Sequence, residues 1–231
     1  LTKELATLDV LSDGRLEIGL GAGWMRSDYD QSGLPFDRPG VRIDKLAESL
    51  AIVKGLMADE PLTFEGIHYQ IFGHNGTPKP VQKPHPPLLV GGGGKRVLTL
   101  AAREADIVGV NFVLAEGVVN PAVAVTGSAD ATAEKVGWVR AAASGRDIEM
   151  NVTVFVTAVT DDQQSMAERV APGFGLTPED VLGSPHVLIG EVEQIVEALQ
   201  QRREAYGFSY VVFSGDVFDA AAPVVKKLAG T

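Results

Sequence analysis

Strand-like runs alternate with helix-like runs along most of this chain, and two of the junctions between them are packed with glycine. RLEIGLGAGW (15–24) and PLLVGGGGKRVLTLAARE (87–104) are the clearest cases. In each, an apolar run of β-branched and leucine residues passes through glycines into a polar turn or an amphipathic helix. The helix expected after Pro39 runs to about Ala58, with Ile43, Leu46, Ala47, Leu50, Val53, Leu56 and Met57 at helical spacing and Arg42, Lys45, Glu48 and Lys54 toward water. Further strands are expected at 106–111, 147–159 and around 208–213, and helices at 130–143, near 192–206 and at 216–228. LTFEGIHYQI reads as a small hairpin around Glu65-Gly66. Five strand–helix units in succession imply parallel strands with helices outside them. Either an open doubly wound sheet or a (β/α)8 barrel satisfies that pattern. A full barrel needs eight units and ~250 residues, so the five units fit a barrel whose first three or so are absent. LTKELATLDVLSDG supports this: Leu1, Leu5 and Leu8 share helical spacing, and Gly14 is placed to stop a helix that has no cap of its own. The expectation is one domain over 1–231, with 59–87 and 112–129 as insertion or loop segments.

Composition narrows the function classes. The 231 residues include no cysteine, which excludes disulfides, thiolate metal sites and a cysteine nucleophile, and fits a cytoplasmic protein. A formal net charge of −10 with no dense basic patch argues against nucleic acid. No apolar run approaches the ~20 residues that span a bilayer. The histidines at 68, 74, 85 and 186 form no metal-binding spacing, and there is no G-x-S-x-G elbow to carry a serine nucleophile. Asp28 and Asp30 could act as bases, but a solvated loop accounts for them better.

Both parallel architectures bind ligands at the carboxyl ends of their strands. Neither glycine junction is a nucleotide motif: Trp24 replaces the third glycine of G-x-G-x-x-G, and the second junction lacks the first glycine and the Ser/Thr of a P-loop. Their physical content remains. Gly91, Gly92, Gly93 and Gly94 let main chain approach a ligand, the helix beginning near Lys95 adds its positive end, and Lys95 and Arg96 add charge there. Lys83 and His85 precede the strand and belong at the opposite mouth. The glycines therefore either cradle an anionic group or simply allow tight packing of helix on strand. Trp24, just past a strand end, either stacks on a ligand or packs.

TLDVLSDGRLEIGLGAGW, the Pro-Phe-Asp-Arg-Pro-Gly-Val-Arg segment and PVQKPHPPLLVGGGGKRVLTLAAREADIVGVN together resemble the luciferase-like monooxygenase superfamily. The Ala-Glu-Lys-Val-Gly-Trp-Val-Arg segment, SPHVLIG and the closing strand–helix are similar to its actinobacterial branch of probable oxidoreductases that use the deazaflavin coenzyme F420. The resemblance implies an α/β (β/α)8 TIM barrel. It implies a cofactor in the mouth, coenzyme F420 or alternatively FMN, with its phosphate at Gly91 to Gly94 and with Gly21, Ala22, Gly23, Trp24 and Ser27 beside it. It implies hydride transfer to a small organic substrate, with oxygen incorporation an option, in a homodimer. The alternative is a non-catalytic cofactor-binding or assembly protein that keeps the scaffold. No catalytic residue can be named, because the strands expected to carry the acid–base group are among the missing units.

Overall fold

The computed structural model describes residues 1–230. In chain order the elements are α1 (Thr2–Leu11), β1 (Ile18–Leu20), α2 (Arg26–Ser32), α3 (Pro39–Met57), the hairpin β2 (Leu62–Glu65) and β3 (Gln70–His74), β4 (Leu88–Gly92), α4 (Lys95–Glu104) and β5 (Ile107–Val110). There follow α5 (Pro121–Val125), α6 (Ala129–Ala143), β6 (Glu149–Val154), β7 (Val156–Val159), α7 (Gln163–Phe174), α8 (Pro178–Gly183), β8 (Val187–Gly190), α9 (Val192–Tyr206), β9 (Phe208–Phe213) and α10 (Phe218–Leu228).

The main sheet has the order β1-β4-β5-β6-β9, and every pairing in it is parallel. The spatial order follows the chain order without reversal. A doubly wound sheet reverses at its switch point, so this is the singly wound wall of a (β/α)8 barrel, five strands of it. Alternate residues divide the wall's two faces. Ile18, Leu88, Val90, Val108, Val110, Met150 and Val152 pack against Leu46, Leu50, Val53 and Met57 of α3, Leu98 and Ala101 of α4, and Val136 and Val139 of α6. Leu89 and Gly91 lie on the other face, which lines a cavity. Pro39 starts α3 at a position that needs no backbone N–H. Its buried residues at 42, 46, 50, 53 and 57 recur at the helical period.

Several expectations need correction. Arg42 is buried rather than solvent-facing, because it falls on the same stripe of α3 as Leu46 and Leu50. In α1 the buried residues are Ala6 and Asp9, while Leu1 and Leu8 are 70% and 51% exposed. Asp9 sets that orientation, since its carboxylate accepts hydrogen bonds from the Gln82 backbone N–H and side-chain amide at 2.9 and 2.7 Å. The polar stretch after Trp24 contains α2, and the irregular stretch 112–129 contains α5. The single strand expected over 147–159 is two: β6 pairs with β9, whereas β7 pairs with β8 in a separate two-stranded parallel sheet. The break falls at Phe155, whose N–H turns to the His186 carbonyl. The strand β8 was not foreseen; its four residues are all buried and so show no alternation.

Candidate functional site

A cavity of about 460 Å³ opens at the carboxyl ends of β1, β4 and β5. One side is the chain leaving β1, with Gly21, Ala22, Gly23 and Trp24. The floor and second side are the end of β4 and the start of α4, with Gly91, Gly92, Gly93, Gly94 and Val97. Asn111 to Ala115, leaving β5, form the third side, and Pro39, Arg42 and Ile43 of α3 close the back. The location is the one that barrel geometry prescribes for ligands.

The glycine quartet is not uniform. A methyl group at Gly93 would lie 2.1 Å from the Phe112 carbonyl oxygen and 2.6 Å from that of Asn111. At Gly92 it would lie 2.4 Å from the Val97 side chain. Those two glycines are required by packing. At Gly91 the nearest atom is 3.7 Å away, and at Gly94 nothing lies within 4 Å. Gly94 is also the N-cap of α4, with extended backbone and no side-chain cap. The first-turn amides of such a helix have no partner within it and carry its positive end. The junction therefore combines two glycines that seat the strand against its neighbours with two that leave main chain open to the cavity.

Gly21 likewise has open space where a side chain would be. Gly23 does not: its φ is +73°, and a Cβ there would strike the Tyr29 hydroxyl. Tyr29 donates to the Ala22 carbonyl at 3.4 Å, holding the β1 exit against α2. Trp24 is 37% exposed and lines the cavity. Ser27 lies on α2, exposed and outside the lining. Lys95 and Arg96 are exposed and outside it as well. The Lys95 ammonium sits 5.9 Å from the Trp138 ring, and Arg96 bridges back to Asp44 and to the Gly40 carbonyl of α3.

Sequence reasoning passed over the residue that joins two of the walls. Arg42 donates through Nη1 to the Gly23 carbonyl at 2.9 Å and through Nη2 to the Ala115 carbonyl at 3.1 Å. Its guanidinium lies 4.0 Å from the centroid of the Phe36 ring, a cation–π contact. The signal that could have found it was its register: four residues before Leu46, on the buried stripe.

A second buried cation lies behind the third wall. Lys135 of α6 is 2% exposed. Its ammonium donates to the Asn111 carbonyl at 2.7 Å and to the Thr126 carbonyl. Burial draws its pKa down to about 8. Next to it, His186 is fully buried against Phe112, with ring centroids 4.4 Å apart, and Phe155 packs on the same Phe112 ring at 5.3 Å. Nδ1 of His186 lies 2.9 Å from the Thr153 carbonyl, so that nitrogen carries the proton, and Nε2 has no partner. Burial pushes the imidazole down to about 4, which keeps it neutral at physiological pH. Among the described residues lining the cavity, Arg42 alone is charged, and its terminal nitrogens are engaged by carbonyls. The lining can enclose a large, mostly apolar ligand and offer main-chain amides to an anionic end; it holds no side chain placed for acid–base work.

Residues 1–206 match the family described as luciferase-like monooxygenase. The chain belongs to that family. Relatives by sequence include the FMNH2-dependent dimethylsulfone monooxygenase of Pseudomonas putida, 26% identical over 165 residues, which are 71% of this chain and 42% of the relative. An uncharacterized protein of Mycobacterium tuberculosis is 38% identical over 107 residues, 46% of this chain and 36% of that one. The chain thus spans about two fifths of the length of the curated relatives it matches. Among solved structures, an F420-dependent secondary alcohol dehydrogenase holding an F420–acetone adduct superposes with a TM-score of 0.71 at 18% identity, over 98% of this chain and 72% of that one. The coenzyme F420-dependent tetrahydromethanopterin reductase of Methanopyrus kandleri gives 0.72 at 18% identity, over 98% and 77%. The long-chain alkane monooxygenase LadA gives 0.71 at 14%, over 98% and 65%. At these identities the structural likeness is one of fold, and it is the fold of this luciferase-like family: a mostly parallel sheet with helices outside, the wall of a TIM barrel.

Proposed function

We propose that the cavity holds a phosphorylated redox coenzyme, the deazaflavin F420, and that the protein is an oxidoreductase passing hydride between it and a small organic substrate. The observation that carries this is the open main chain at Gly91 and Gly94, beside the N-terminus of α4, inside a cavity walled mostly by apolar groups. That arrangement suits a ligand with an anionic tail and a flat apolar body. Gly91 to Gly94 would receive the phosphate. Gly21, Ala22, Gly23 and Trp24 would flank the ring system. Lys95 and Arg96 follow the cradle and would add long-range positive charge, with Ser27 at the outer rim. When bound, the reduced coenzyme supplies the hydride. The chain's part is to hold donor and acceptor together and keep water out.

A second reading replaces F420 by reduced FMN, with or without oxygen incorporation. The relative from Pseudomonas putida, whose name specifies FMNH2, favours it. Assembly as a cytoplasmic homodimer completes the proposal.

The test is a titration of the purified protein with F420 and, separately, FMN, followed by the change in coenzyme fluorescence. Saturable binding of one of them is expected, and Gly94→Glu is expected to weaken it at least about tenfold by placing a carboxylate at the cradle. If neither coenzyme binds, or if Gly94→Glu binds as tightly as the parent, the proposal fails.

A further inference from the structure

The third wall of the cavity, 111–115, belongs to a long connection between β5 and α6 and has no sheet partner beyond Asn111. Something else must fix it. The Asn111 N–H donates to the Gly92 carbonyl at 2.9 Å, which ties the wall's first residue to the end of β4. From the opposite side the Lys135 ammonium takes the Asn111 carbonyl. That carbonyl and the next, Phe112, are the two atoms that leave no room for a side chain at Gly93. The same ammonium reaches the Thr126 carbonyl, fifteen positions further along the connection. Thr126 passes the constraint back to the wall, because its hydroxyl accepts the Val113 N–H at 3.0 Å and donates to the Val123 carbonyl at 2.6 Å. One buried cation thus holds both the start and the end of the connection, a hydroxyl near its end holds Val113, and Arg42 holds the Ala115 carbonyl.

We propose that Lys135 is a positioning residue that fixes the 111–115 wall of the cavity by clamping both ends of the 111–126 loop. No carboxylate forms an ion pair with it among the described contacts; the charged groups it senses are Glu134 on its own helix and, across the packing, His186, which is neutral. A buried ammonium satisfied by carbonyls alone is costly to desolvate. An apolar residue would suit the same site on α6 for packing, so stability by itself does not call for a lysine there. The carbonyls it holds are those of the connection. Hydrogen bonds from a charged donor are stronger than those between neutral groups. Only the statement that the wall encloses a coenzyme rests on the reading given above; the clamp itself can be tested on protein with nothing bound.

The experiment is amide hydrogen exchange on the ligand-free protein, comparing the parent with Lys135→Met and Lys135→Arg. In Lys135→Met, protection across 111–126 is expected to fall about tenfold or more, the equivalent of losing one such bond, while α3 and β4 amides stay within about twofold of the parent. Lys135→Arg, which keeps a charged donor, is expected to recover much of the loss. Unchanged protection in the loop of Lys135→Met overturns the proposal, and so does an equal loss of protection in α3 and β4, which would make the lysine a general determinant of stability. Should Lys135→Met not fold, Lys135→Gln takes its place with the same expected loss across 111–126 and the same overturning outcomes; separately, Thr126→Val removes the hydroxyl that receives the Val113 N–H and donates to the Val123 carbonyl. Protection at Val113 is then expected to fall with the rest unchanged, and its retention would overturn the relay. Coenzyme titrations of the same variants separate the two ideas. A loosened loop in a protein that binds neither F420 nor FMN would keep the clamp and remove the coenzyme.

Discussion

Gly93 and Gly94 are neighbours with opposite tolerances. A Cβ at Gly93 meets two backbone oxygens that cannot move without shifting the chain after β5. Gly93→Ala is therefore expected to cost about 1–3 kcal/mol of folding stability, measured by denaturant unfolding. Gly94 has φ −88° and ψ 150°, which any residue adopts, and open space beside it. Gly94→Ala is expected to leave stability within about 0.5 kcal/mol of the parent while weakening coenzyme binding. Equal stability losses in the two variants would mean that the quartet serves packing throughout. The glycines themselves were readable in the sequence, because an unbroken run at a strand end has few physical explanations. Which of them leave main chain open to the cavity was not, since the atoms that decide it, the carbonyls of Asn111 and Phe112, come from the chain just past β5. Arg42 shows a related limit: its register on α3 marked the buried stripe, but its charge suggested water, and the acceptors that satisfy it, at Gly23 and Ala115, lie 19 and 73 positions away.

Among the elements, the β2–β3 hairpin depends on a side chain of another element. The Glu48 carboxylate of α3 accepts backbone N–H groups from Ile67, His68 and Tyr69 at 2.8, 2.9 and 2.9 Å. Burial pushes this carboxyl up, but the amide hydrogen bonds outweigh it and hold the group below its ordinary value. A depressed carboxyl stabilises the fold above its unfolded pKa and ceases to do so as pH falls through the folded one. Glu48→Gln keeps only one acceptor oxygen. Exchange at 67–69 is expected to speed up about tenfold, as for one lost charge-assisted bond, with the amides around Leu50 and Met57 unaffected. An unchanged turn would show that the hairpin holds itself. Helices α3, α4 and α6 were legible because apolar residues at the helical period, and Pro39 at the start of α3, are local signals. The division of 149–159 between β6 and β7 was not, because an alternating apolar run looks the same whether one neighbour or two take up its hydrogen bonds. The four-residue strand β8 was hidden by complete burial.

For the molecule as a whole, the order of the sheet bears out the barrel wall that the sequence favoured over a doubly wound sheet. Strand–helix rhythm is visible in one dimension, whereas the neighbour of each strand is not. Global stability also carries one pH signature. His186 titrates near 6.5 when unfolded and about 4 when folded. Its contribution is thus fully present above 6.5, and it is lost progressively as pH falls from there to about 4, when the unfolded chain takes up a proton that the native state refuses. The total is about 3 kcal/mol at most, from the 1.36 kcal/mol carried by each pKa unit. Denaturant unfolding at a series of pH values checks this. His186→Gln is expected to flatten the slope over that range, and an unchanged slope would assign acid sensitivity to other groups.

The break at Phe155 has a consequence for how such a protein can vary. Its upstream half serves the barrel wall through β9, and its downstream half serves a separate ribbon with β8, to which α7 and α8 attach. The pairing of β6 with the wall ends at Val154. The segment from there to the start of α9 is nevertheless tied back at several points, with Leu188 beside Val154 in the core under α9 and α10, His186 against Phe112 and the Ser184 hydroxyl on the Gly127 carbonyl, so a change of length inside it would be felt behind the cavity's third wall.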